Sequence, residues 1–271
     1  MAFVSVSGVT KRFGTHVGVD DVSFDLEAGE TAVLFGANGA GKTTLIRMLA
    51  SLSRPTEGDI EIGSEPLGSG NAAVRSRLGV VAHETMLYEE LTARENLRLH
   101  ARLHGVDAAV CDELLETVGL ASRGGERVAG FSHGMSKRVS LARALVHDPD
   151  LLLFDEPYTG LDQTSLKRVA AVLEDLEDRT VLAATHDLER GYRLADRVLF
   201  VNDGRLVGDL ETTAFDDAAE VLEEYERRCT GGEPRAVTSG RAVPTRSTVA
   251  GTGTERASGT NTDDPGGSND G

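Results

Sequence analysis

The sequence has no tryptophan, two cysteines, and four lysines among its 28 basic residues. Each scarcity excludes something. Cys111 and Cys229 lie far apart with no Cys-x-x-Cys pair, which excludes a disulfide framework and a zinc knuckle and leaves two reduced thiols. Apolar runs are strand-sized, such as 151–154, and none approaches the ~20 residues of a membrane-spanning helix. The N-terminus carries neither the basic nor the apolar region of a secretory signal. Basic charge is short: 44 acidic residues against 28 basic give a net −16. That balance excludes nucleic acid as a partner for the surface at large, since binding it takes a basic footprint. It suits high salt, where screening tolerates excess like charge.

A length of 271 residues allows one large domain or two small ones. Residues 230–271 are rich in Gly, Thr, Ser, Pro, Asp and Arg with almost nothing to bury, so this tail is expected to be disordered. The rest, residues 2–229, alternates short apolar runs with amphipathic stretches. Strands are expected at 3–9, 17–26, 31–35, 59–62, 79–81, 151–154, 180–185 and 198–201. Helices are expected at 42–52, 92–104, 108–118, 137–146 and 215–228. The uninterrupted apolar strands are of the kind buried on both faces of a parallel sheet.

The informative segment is Gly36, Ala37, Asn38, Gly39, Ala40, Gly41, Lys42 and Thr43, followed by Thr44. It fits G-x-x-x-x-G-K-[ST], with an apolar strand before it and a helix after it. Glycines let backbone N–H groups turn inward around phosphate oxygens, and the helix aims its positive end at the same anion. Lys42 reaches the β- and γ-phosphates, and Thr43 is placed to ligate Mg²⁺. A second apolar strand ends in Asp155-Glu156. Asp155 is expected to hold Mg²⁺ through water and Glu156 to deprotonate the attacking water. ATP and Mg²⁺ are the expected ligands.

With these residues in place, the chain resembles the nucleotide-binding subunit of an ABC transporter across residues 2–229. Phe131-Ser132-His133-Gly134-Met135 stands where that family has its LSGGQ signature; Ser132 and Gly134 match, while His133 and Met135 depart. Thr159-Gly160-Leu161-Asp162 matches the D-loop, and His186 ends a strand as the family's switch histidine does. Lys11-Arg12-Phe13-Gly14 resembles the segment whose aromatic residue, here Phe13, stacks on adenine.

The resemblance implies a P-loop NTPase fold of the α/β class. It comprises a mostly parallel sheet flanked by helices, an N-terminal antiparallel β region and a helical insert at about 84–150. It implies two subunits, identical or paralogous, that sandwich ATP head to tail. Ser132 and Gly134 of one subunit then complete the site of the other, and Asp162 is a further nucleotide-binding candidate. It implies catalysis by Lys42, Glu156 and His186, and a separate integral membrane permease that places the chain in the cytoplasm, on the inner face of the membrane.

His83 stands where the family usually has a glutamine that reaches toward the metal and the attacking water. Only the neutral imidazole can act there as acceptor or ligand. His83, the His-Gly-Met signature and Glu156-Pro-Tyr-Thr-Gly-Leu-Asp162 together are similar to the ATP-binding subunit of the haem exporter of cytochrome c maturation. The alternative function is a soluble non-transport ABC ATPase, although the stretch from Lys42 to Ser132 is too short for a long coiled coil. Of the other histidines, His100 and His104 are spaced for one helix face and are expected to be solvated, lacking a third ligand. His16 and His147 are expected at the surface.

Overall fold

A computed structural model describes residues 2–68, 71–176 and 179–231; the expectation for the tail falls almost wholly outside them. Two sheets form. The smaller is antiparallel, in the order β2 (His16–Glu27), β1 (Ala2–Phe13), β4 (Glu57–Ile62), β5 (Glu65–Pro66). The larger has the order β10 (Arg205–Glu211), β9 (Arg197–Asn202), β3 (Thr31–Phe35), β8 (Thr180–Thr185), β7 (Leu151–Asp155), β6 (Leu78–Val81). Its strands β9 to β6 run parallel, and β10 is antiparallel to β9. The expected fold class is observed.

Helix α1 (Lys42–Leu49) leaves the phosphate loop and packs between the sheets. Its Leu45, Ile46, Met48 and Leu49 share one buried cluster with Val4 and Val6 of the small sheet and Leu34, Leu153 and Leu182 of the large one. Each such side chain contributes roughly 1.5–3 kcal/mol on burial, and together they fix where α1 begins. The opposite face of the large sheet is also covered. Val33, Phe35, Val198 and Phe200 pack on α7 (Leu188–Leu194) and α8 (Ala218–Cys229). Leu152 and Phe154 pack on α5 (His133–Leu145) and α6 (Gln163–Glu174). Burial on both faces explains why these strands lack a polar alternation.

Short α2 (Ala72–Arg75) leads into β6. A separate apolar cluster joins α3 (Ala93–His104), α4 (Val110–Thr117) and α5 through Leu97, Leu115, Met135, Val139 and Ala142. α5 serves both layers, since its Leu141 and Ala144 pack on the sheet. Helix α3 starts with a capping box between Thr92 and Glu95 and stops at Gly105, φ 69°.

Several boundaries differ from the sequence reading. α5 begins at His133 rather than at residue 137, because Ser132 caps it by accepting from the Met135 N–H. α8 begins at Ala218 behind its cap Asp217. β10, α6 and α7 were not expected at all. The histidine reading is also corrected. His100, His104 and His147 are half-buried and packed together, so neither the solvated face nor the surface His147 holds.

Burial, with smaller contributions from His104, Arg143 and His147, lowers the His100 imidazole from its ordinary 6.5 to about 4. The unfolded chain takes up this proton from 6.5 downward, while the folded chain resists until about 4. The stability involved is therefore complete above 6.5 and is lost as pH falls through that window. The urea midpoint of His100→Gln is expected to drop less than that of the wild type between about pH 7 and about pH 4.5. Equal drops would refute the linkage.

Candidate active site

Adjacent strands β3, β8 and β7 end together, with Phe35 beside Thr185 and Asp155 beside Ala184. The candidate residues follow directly from these ends. Gly36 opens the loop against β9; a Cβ there would lie 2.1 Å from the Val201 carbonyl oxygen. Gly41 takes φ 107°, and a Cβ on it would lie 2.5 Å from the Gly18 carbonyl oxygen. No side chain caps α1 at Gly41 and its first turn holds no acid, so the leading N–H groups are left for an anion. Ala37, Asn38 and Gly39 are exposed at the loop crest, and Ala40 is buried beneath them.

Lys42 is 6 % exposed, and its Nζ donates to the carbonyls of Gly36 (2.7 Å) and Ala37 (3.1 Å). Burial lowers its pKa, against the upward pull of Glu156 and Asp155. The ammonium is thus held inside the loop, against two of its carbonyls. Thr43 Oγ1 donates to Asp155 Oδ1 at 2.9 Å. This pair offers hard oxygen donors of the kind a divalent cation takes. Burial raises the Asp155 carboxyl above the ordinary range; the Thr43 hydrogen bond opposes this, and His83 and Lys137 act in the same lowering sense. His83 is exposed two residues beyond β6, near enough for its charge to bear on Asp155.

Glu156 Oε1 lies 2.9 Å from His186 Nδ1, and its Oε2 accepts from Thr159 Oγ1 at 3.1 Å. Its backbone takes φ 54°, the left-handed region that non-glycine residues avoid. The Glu156 N–H is tied to the Ala184 carbonyl at 2.9 Å, which holds the turn in place. Phe13 is 52 % exposed and lies against Gly18, where a Cβ would be 3.0 Å from its ring and 3.7 Å from Thr44 Cγ2. An aromatic face is thus presented beside the start of α1.

Ser132, Gly134 and Asp162 sit apart. Among the described residues, no hydrogen bond joins them to the phosphate loop. Ser132 is exposed at the N-terminus of α5. Gly134 is buried, and a Cβ on it would meet Ser165 Oγ at 2.5 Å, so its missing side chain admits α6. Asp162 caps α6 by accepting from the Ser165 N–H at 2.7 Å.

Sequence reasoning missed two neighbours of the site. Lys137, 2 % exposed, reaches from α5 to the carbonyls of Ala82 (3.0 Å) and Asp155 (3.4 Å). Tyr225 on α8 accepts the Ala37 N–H at 3.2 Å. The signal for Lys137 was its rarity, one of four lysines inside an apolar helix; Tyr225 gave none.

Fold and site define a P-loop nucleotide hydrolase. Comparison with known proteins narrows this. Residues 19–159 match the family model described as ABC transporter. The ABC transporter ATP-binding protein NatA of Bacillus subtilis (strain 168) is 40 % identical over 216 residues, covering 77 % of this chain and 85 % of the relative. The Nod factor export ATP-binding protein I of Sinorhizobium fredii (strain NBRC 101917 / NGR234) is 38 % identical over 245 residues, covering 87 % and 70 %. A solved ATP-binding subunit of an ABC transporter superposes with a TM-score of 0.74 at 28 % identity, covering 83 % and 99 %. The chain belongs to the ABC transporter family: it is an ATP-binding subunit and an ATPase whose hydrolysis is coupled to transport. Among the described residues, no helix is long and apolar enough to cross a membrane.

Proposed function

We propose that this chain drives an export-type permease, a separate integral membrane protein, by ATP-dependent closure of two cassettes, identical or paralogous, at the inner face of the membrane. The observation that carries it is the convergence of Lys42, the Thr43–Asp155 pair and the Glu156–His186 pair at the ends of three adjacent strands. Export is supported by a relative named for Nod factor export. The narrower haem-export reading rests on His83 and the Ser132-His133-Gly134-Met135 signature.

In this reading Phe13 stacks on adenine, and the loop N–H groups from Gly36 to Thr44 take the phosphates. Lys42 exchanges its two carbonyl partners for phosphate oxygens. Thr43, Asp155 and His83 would hold Mg²⁺, which would supply charge neutralisation at the phosphates. Glu156 takes a proton from the water whose oxygen bonds to the γ-phosphorus, and the bond to the β,γ-bridging oxygen breaks to release ADP and phosphate. His186 holds Glu156 in line. Exposed Ser132, with Gly134 and Asp162 behind it, faces the partner subunit's nucleotide. Reconstitution with the permease in vesicles tests the whole. ATP-dependent movement of cargo outward is expected, and hydrolysis indifferent to any permease refutes it.

His83 has its own test. Glutamine accepts and donates as a neutral imidazole does, whereas alanine does neither. His83→Gln is expected to stay active and His83→Ala to lose kcat, measured at saturating ATP. Equal kcat in all three proteins would detach His83 from the reaction.

A further inference from the structure

Three histidines that the nucleotide site does not use form a second cluster. His100 and His104 stand one turn apart at the end of α3, and His147 comes from the segment between α5 and β7. One ring nitrogen from each lies within 4.8 Å of the other two. Ring centroids are 4.5 Å apart for His100–His104, 5.3 Å for His100–His147 and 4.0 Å for His104–His147.

The hydrogen bonding of His147 is the informative detail. Its Nε2 lies 3.0 Å from the Leu78 carbonyl oxygen, a contact only an N–H can make, so Nε2 carries the proton. Nδ1 is left with its lone pair, buried and without a hydrogen-bond partner. An unpaired buried acceptor is costly. Metal-bound imidazoles share this pattern: one nitrogen ligates while the other donates to a carbonyl or carboxylate. The cluster also sits at the C-terminus of α3, where the negative end of the helix dipole favours a cation. Burial lowers the pKa of all three rings, which favours the neutral form that ligates.

We propose that His100, His104 and His147 bind a divalent transition-metal ion of the zinc class through three imidazole nitrogens, with water completing a four-coordinate shell. Imidazoles select such ions over Mg²⁺, which prefers oxygen ligands. Tetrahedral zinc holds its nitrogen ligands about 3.4 Å apart, so nitrogens now within 4.8 Å close by up to about 1.4 Å, and the His104 and His147 rings, stacked at 24°, turn so that their in-plane lone pairs converge. All three are half-buried, and His100 and His104 line a cleft of about 670 Å³ with Leu78, Val80 and Ala73, which leaves an open side for water. Two charged groups bear on the cluster from outside α3, Arg143 of α5 and Asp148 beside His147. They oppose each other, and the Arg143 guanidinium is turned to the carbonyls of Met86 (2.7 Å) and Val80 (3.0 Å). The bound ion ties α3 to the segment that leads into β7, the strand ending in Asp155.

The test uses the full chain, stripped of metal and kept in excess Mg²⁺ to fill oxygen sites, titrated with Co²⁺ as a coloured probe. One Co²⁺ per chain with the visible bands of a four-coordinate nitrogen site is expected, displaced by Zn²⁺. His147→Gln and His104→Gln should each weaken binding at least about tenfold. Unchanged ATP binding in both variants certifies their fold. In the wild type, the imidazole nitrogen NMR signal of His147 Nδ1 should move on adding Zn²⁺, a readout that needs no variant. Three results overturn the proposal: no binding at about 100 μM Co²⁺, far above the affinity range of imidazole sites; thiolate charge-transfer bands, which place the ion on cysteine; or an unmoved Nδ1 signal with affinity unchanged in both variants.

Discussion

Lys42→Ala is expected to cut ATP hydrolysis severely and to weaken ATP binding by about tenfold to a hundredfold, the worth of a charge-assisted hydrogen bond to phosphate. In the resting protein the Lys42 ammonium is spent on the carbonyls of Gly36 and Ala37. On the proposed function, the same group neutralises phosphate charge when ATP binds, in a cradle of backbone dipoles. Alanine leaves that charge uncompensated where water is excluded, and the loss deepens as charge develops on the transferring group. The turnover loss should therefore exceed the binding loss, reaching about a thousandfold or more. Titration with a fluorescent ATP analogue and a phosphate-release assay measure the two separately. Unchanged affinity together with unchanged turnover would remove Lys42 from the site.

The second large effect is on stability. Arg197 opens β9 and is 4 % exposed. It forms a two-pronged pair with Asp209 of β10, donates to the Asp25 carbonyl of β2 at 2.7 Å and meets Glu30 at 3.1 Å. One guanidinium thus fastens the small sheet to the large one. Arg197→Ala is expected to cost roughly 3–5 kcal/mol, because the 5 % exposed Asp209 is left as an unpaired buried charge. Tm should fall by roughly 10 °C. The double variant Arg197→Met, Asp209→Leu discriminates the cause. If the cost lies in the orphaned carboxylate, it recovers most of the loss; if it lies in lost attraction, it is no better than the single variant.

How far the sequence reveals the molecule depends on how local each signal is. Strands β3 and β8 are legible to the residue, since an apolar run bounded by polar or glycine positions is complete in itself. The phosphate loop is legible for the same reason: its eight residues, preceding strand and following helix are contiguous. The start of α5 is not, because a reader sees the apolar positions after Lys137 before noticing that Ser132 is a cap. Strand β10 hides because charged Arg205, Asp209 and Glu211 interrupt it, and Asp209 is buried only because Arg197 waits on the next strand. Rarity marks Lys137 without giving its role, and Tyr225 and His147 are illegible alone. Each acts on a backbone group from a distant element, and only the fold supplies the partner.

The left-handed turn at Glu156 sets the chain's chemistry against its own backbone. Outside glycine that conformation costs roughly 1–2 kcal/mol. On the proposed function, glutamate stands at 156 for its reaction with water and not for the turn it occupies. A library of variants sorted for heat resistance alone should drift at this position toward glycine or asparagine. The survivors would be well-folded cassettes that hold ATP and never spend it. Thermal engineering of this protein has to select on turnover at every round, or it will improve the scaffold by discarding the engine.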